Sequence, residues 1–241
     1  MSRKPSLVIV IAEGSEQDAL YPNLNKIGKK LNIRFKIMGT DVFTERKNDQ
    51  KSSKAIVGDI VNDITSRPEI NKKDIKLIVQ LTDTDGVYIS DDKIVIDESQ
   101  SEKTTYTLKN IRVNNNDQLR NIKNRNHKKR THLNTLSKTE KVASIVNYKI
   151  LYFSRNLDHV ISNKPDTLKS EKSKEADAFS NSFATSHDFE KFFMESDFAV
   201  DGTYDETWNF IKDEVRSLKK FSNFHLIFEM LKAIENATSK N

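Results

Sequence analysis

The residues of this chain best suited to chemistry are acids at the ends of apolar runs. Residues 7–11 (LVIVI) stop at Glu13 and Gly14, with Glu16 and Asp18 just beyond, and residues 75–81 stop at Asp83, Thr84, Asp85 and Gly86. A continuous β-branched run reads as a strand buried on both faces, as parallel sheets require. In open α/β sheets, chemistry gathers at the carboxyl ends of such strands. Carboxylates brought within ~4–6 Å of one another repel, and their pKa values rise unless a divalent cation fills the space. Mg2+ answers that need through oxygen ligands and retained waters, and it usually acts on phosphates. Each motif alone is also what a loop would carry, because Asp and Gly are favoured in turns.

The elements that must position these acids follow from periodicity. Leu20, Leu24, Ile27 and Leu31 mark a helix after the first strand, expected to begin late because Pro22 suits only a first turn. Residues 33–38 read as a second strand, residues 55–64 as a helix ending near Arg67 and Pro68, and residues 75–81 as a third strand. This alternation predicts an α/β fold with a mainly parallel sheet and right-handed crossovers. Residues 87–96 read as a short hairpin or an edge addition, 137–148 as a helix and 150–153 as another core strand. Helices are expected over 172–183, 188–195 and 204–236. In the last of these, Trp208, Phe210, Ile211, Val215 and Leu218 form a stripe whose spacing assigns it to the core. The expected organisation is an α/β core over 1–165, carrying an insertion at about 103–138, and a helical extension over 166–241 packed on that core.

Charge singles out the insertion. The 241 residues hold 40 Lys and Arg against 35 Asp and Glu, a net charge of +5. Between Lys103 and Lys138 the balance is +9, which leaves −4 for the rest of the chain. Rich in Asn and poor in large apolar residues, this segment is expected to be an exposed, partly mobile excursion. Lys123, Arg125, Lys128, Lys129 and Arg130 would contact nucleic-acid phosphates, with salt-dependent affinity. No aromatic residue lies between Tyr106 and Tyr148, so the segment offers contact to the backbone rather than stacking on bases.

Composition removes other classes. There is no cysteine, hence no disulfide, thiolate metal site or cysteine nucleophile. The longest apolar run is far shorter than the ~18 residues of a membrane span, so a cytoplasmic protein without membrane contact is expected. No P-loop, dinucleotide-binding glycine pattern or HExxH motif is present. The five histidines are scattered, and His127 and His132 are expected in solvent. Asp158 and His159, just beyond the strand at 150–153, read either as secondary site residues or as a helix start capped by Ser154 or Asn156.

An apolar strand ending in Glu13-Gly14, a helix, and a later apolar strand ending in Asp83-x-Asp85 resemble the TOPRIM domain of primases, topoisomerases and the OLD-type and RloB-like nucleases of phage defence. The matched segments lie within the first 90 residues or so. The resemblance implies a TOPRIM-like fold and a metal-dependent nuclease. Glu13, Asp83 and Asp85 would be catalytic and would hold Mg2+ or Mn2+, with Asp18 or Glu16 as a further acid, and the substrate would be DNA or RNA. It further implies a toxic effector of anti-phage defence acting by abortive infection, with an ABC-type ATPase as partner; the oligomeric state is left open, a two-fold homodimer being one assembly small nucleases adopt. Two alternatives remain: a non-catalytic nucleic-acid-binding or assembly module, and a haloacid dehalogenase-type phosphatase using Asp83 as nucleophile.

Overall fold

Val8 and Val10 face one side of the first strand and Leu7, Ile9 and Ile11 the other, and all five are buried. A strand apolar on both sides must be covered on both, which dictates a three-layer body. The computed structural model describes residues 4–13, 16–39, 51–68, 70–99, 104–143, 146–164, 168–213 and 215–239. The early elements are β1 (Ser6–Ala12), α1 (Glu16–Lys30), β2 (Ile33–Gly39), α2 (Ser53–Thr65) and β3 (Ile75–Asp83). Next come β4 (Ile94–Ile96), β5 (Thr105–Tyr106), β6 (Ile111–Val113), α3 (Asn116–Leu136), β7 (Lys141–Val142) and β8 (Val146–Ser154). The chain continues through α4 (Leu157–Ser162), α5 (Lys169–Asn181), α6 (Ser186–Met194), α7 (Tyr204–Ile211), β9 (Phe221–Ser222) and α8 (Leu226–Ser239).

The main sheet runs in the order β2-β1-β3-β8-β7, with β9 also paired to β8. The pairs β1·β2, β1·β3 and β3·β8 are parallel, whereas β7 and β9 lie antiparallel to β8. The fold is therefore α/β with a mixed, mostly parallel sheet, as the alternating pattern predicts. One face is packed by Leu20, Leu24 and Ile27 of α1, Phe179 of α5, Phe189 and Phe193 of α6, and Phe228 of α8. The other is packed by Ile56, Val57, Val61 and Ile64 of α2, Leu133 and Leu136 of α3, and Trp208 and Ile211 of α7. Among the described residues, no helix is long and apolar enough to cross a membrane.

Several expectations are corrected. α1 begins at Glu16 and contains Pro22, whose exposed position turns the carbonyl it cannot serve toward water. The basic segment is not a mobile excursion: it holds β5, β6 and the 21-residue helix α3, capped by Asn115 and packed on the body. The described residues of 137–148 form no helix; Val142 and Val146 face each other across the antiparallel β7·β8 pair. Residues 87–96 form no hairpin, since β4 pairs in parallel with β6 in a separate three-stranded sheet, β4-β6-β5. The final helix is divided, with a 3-10 turn at Arg216–Leu218 and the strand β9 between α7 and α8.

Gly28 shows how closely α1 lies on the sheet. A β-carbon there would stand 2.4 Å from the carbonyl oxygen of Ile33 and 2.9 Å from the ring of Phe35. A backbone atom cannot yield as a flexible side chain can. Gly28→Ala is therefore expected to destabilise the fold by about 1–3 kcal/mol, despite alanine's better helix propensity. Equilibrium denaturant unfolding checks this; a more stable variant would contradict the packing.

Candidate functional site

The acids meet where β1 and β3 end side by side. Thr84, between the two aspartates, is fully buried, and its hydroxyl donates to the carbonyl of Ser217 at 2.9 Å. Its backbone N–H donates to Phe153, that of Asp85 to Arg155, and that of Gly86 to Ser217. Asp85 (φ 47°) and Gly86 (φ 69°) both adopt the left-handed conformation, which Asp tolerates better than most residues and Gly adopts freely. The chain thereby turns sharply and sends the Asp85 carboxylate back toward β1.

There Asp85 meets Lys129 of α3. The ammonium lies 2.7 Å from Asp85 Oδ2 and 3.9 Å from Glu13 Oε2, with its side chain only 11% exposed. Glu13 also accepts a long 3.5 Å contact from the Thr82 hydroxyl. Asp83 takes a hydrogen bond at Oδ1 from the backbone N–H of Leu157, the first residue of α4, at 3.0 Å. Glu16 is buried at the start of α1, and its Oε2 has no hydrogen-bond partner among the described residues. On the far side, Lys172 of α5 pairs with the buried Asp158 at 2.7 Å.

Electrostatics divides these acids. Burial pushes the Asp83 carboxyl well above the usual carboxylate range, and the nearby Glu16 and Asp85 push it further. Burial likewise raises Glu16. Burial would raise Asp85 too, but Lys129, Arg125 and Arg155 outweigh it and hold Asp85 below its ordinary value. Lys129 moves in reverse: burial would lower it, yet Asp85 and Glu13 carry it above the ordinary lysine range. The result is a carboxylate cluster that needs cations, supplied here by lysines from two helices.

Glu13, Asp83, Asp85 and Glu16 thus belong to one neighbourhood, whereas Asp18 lies exposed on α1. The helix-start reading of residues 154–159 holds: Asn156 caps α4, and its side chain accepts from the backbone N–H of His159. The basic residues of α3 divide in two. Arg125 donates to the carbonyl of Asp85 and Arg130 to those of Val87 and Ile89, so with Lys129 they hold the acidic turn. Lys128 is exposed and Lys123 half-buried. His132, expected in solvent, hydrogen-bonds Ser53 of α2 at 2.7 Å.

No family model, curated protein or solved structure matches this chain. What its site can do must be read from its own atoms.

Among the described residues, no group of three or more His, Asp or Glu side chains stands arranged around a metal position. The donor chemistry nonetheless fits a hard divalent cation. The donors are carboxylate oxygens, one of them buried and unpartnered, and a lysine ammonium lies between Asp85 and Glu13.

Sequence reasoning missed Lys129 as an inward group, together with Arg155, Lys172, Thr84 and Tyr106. Tyr106 packs against the Arg155 guanidinium, 4.6 Å from its ring centre, and its hydroxyl accepts from Arg125. One signal was present: Ile122, Asn126, Lys129, Leu133 and Leu136 recur at spacings of four and three, a helical stripe whose middle is polar.

The raised acids set a pH dependence. A carboxyl raised in the folded state binds its proton more tightly there than in the unfolded chain, so stability declines as pH climbs above the ordinary values of 4.5 for Glu16 and 3.8 for Asp83. Glu16→Gln removes one contributor. Without divalent metal, the unfolding free energy of this variant should fall less steeply than wild type from about pH 4.5 upward. Urea titrations at several pH values measure both slopes, and equal slopes would contradict the burial argument.

Proposed function

We propose that this protein is a divalent-metal-dependent nuclease that hydrolyses phosphodiester bonds of DNA or RNA. One observation carries the reading: Glu13 at the end of β1 and Asp85 at the end of β3, two adjacent parallel strands, share the buried ammonium of Lys129, and the buried Asp83 lies in their field. This is where an open α/β sheet builds its chemistry, and the TOPRIM resemblance has the same three acids in the same order.

Glu13, Asp83 and Asp85 would hold Mg2+ or Mn2+, with Glu16 as the neighbouring acid. When bound, the metal would supply Lewis-acid polarisation of the phosphate and activation of a water. The chain's own contribution is positioning. The left-handed turn aims Asp85, the Leu157 N–H fixes Asp83, and the buried Thr84 anchors both to the body. Glu16, raised by burial, is the group suited to hold a proton near the reacting oxygens. Lys123 and Lys128 remain on the outer side of α3 for contact with the nucleic-acid backbone.

The phosphatase alternative, with Asp83 as nucleophile, gives Glu13 no task, although Lys129 ties Glu13 to the same cluster. The non-catalytic alternative is favoured by the Lys129–Asp85 pair, which neutralises the site without metal. A role in anti-phage defence and an ATPase partner rest on the resemblance alone.

Purified protein with Mg2+ or Mn2+ is expected to degrade single- or double-stranded DNA or RNA. Glu13→Ala and Asp83→Ala should each reduce this to background while leaving the circular dichroism spectrum unchanged. Cleavage that survives both substitutions, or persists in EDTA, would refute the assignment. In salt titrations of binding, neutralising Lys123 and Lys128 together should reduce the slope of log affinity against log salt by about 2 at most, because Arg125, Lys129 and Arg130 are engaged inward.

A further inference from the structure

Lys129 is a buried cation that needs an anion at every stage. Its closest counter-ions are Asp85 and Glu13, both acids that the metal reading assigns to the cation. We propose that Lys129 holds the divalent-cation position in the metal-free protein and passes to the substrate's phosphoryl oxygen when the metal enters. This rests on the metal-dependent reading and specifies how that site is regulated.

The geometry forces the exchange. A divalent ion that takes Asp85 Oδ2 must approach an oxygen already 2.7 Å from the ammonium, and the two positive charges cannot share it closely. Lys129 cannot leave with its helix, because Arg125 clamps α3 to the carbonyl of Asp85 and Arg130 clamps it to those of Val87 and Ile89. Only the flexible four-carbon stem can move. The displaced ammonium therefore stays at the site, and leaving it there without an anion is costly. The one anion that must come to this place during phosphodiester hydrolysis is the phosphate itself. Metal and phosphoanion should accordingly bind cooperatively, each strengthening the other by the same factor.

Lys129 variants should thus act in opposite directions on the two ligands. Lys129→Met leaves an unbranched side chain one atom shorter and removes the competing charge, and Lys129→Gln removes that charge with a polar end if the Met protein folds poorly. By isothermal titration with Mg2+ alone, the variant is expected to bind about tenfold tighter than wild type, or more. Inorganic phosphate should tighten Mg2+ binding to wild type and leave that of the variant unchanged, while Lys129→Arg should retain the competition. If the Met or Gln protein binds Mg2+ no tighter than wild type while Glu13→Ala abolishes binding, this inference is overturned and the metal site stands. If wild type and both variants bind no Mg2+ or Mn2+, the inference and the metal reading fall together.

Discussion

Negative charge removed from water is the constraint on which the rest of the site depends. Glu13, Glu16, Asp83 and Asp85 gather where two parallel strands end, and the buried groups among them cannot all ionise unaided. The body answers with Lys129 from α3, Lys172 from α5, and the guanidinium groups of Arg125 and Arg155. These cations come from sequence-distant elements, so the acid cluster determines how those elements pack. A helix of Asn, Lys and Arg would gain little by folding in isolation. Docked on the acidic turn, α3 finds a partner for nearly every inward polar group.

The second organising feature is the backbone of the turn between β3 and β4. Thr84 contributes no chemistry, yet it is buried and hydrogen-bonded, and left-handed backbone at Asp85 is kept only because its surroundings over-determine it. Three backbone N–H groups and one hydroxyl fasten this turn to β8 and to the 3-10 turn at Arg216–Leu218. The Asp-x-Asp pattern is thus a rigid support as well as a pair of acids.

The central strands were legible because β1, β3 and β8 are apolar on both faces, a pattern that a strand covered by helices on each side demands. The order in which Glu13 and Asp83-x-Asp85 follow those strands was legible for the same reason. α3 was not, because its inward stripe is broken by Asn126, which accepts from Arg125, and by Lys129, which faces Asp85 and Glu13 rather than the apolar core. β7 and the start of β8 were misread because Val142 and Val146, four residues apart, imitate a helical repeat while facing each other across a tight antiparallel pair. The division between α7 and α8 carries no glycine or proline, and strand pairing with β8 decided it. For a side chain whose partner lies more than 40 positions away, such as Lys129, the local pattern shows its place on a helical stripe and not what it faces.

The bond from Thr84 to Ser217 spans 133 positions. A chain emerging from the ribosome has its acidic strand ends long before it has the segment that fixes them, and contacts of such separation form late in folding. The anchored geometry of the acidic turn is therefore withheld until the segment carrying Ser217 has been synthesised. A truncated product ending before Ser217 would carry all the acids and lack their anchor.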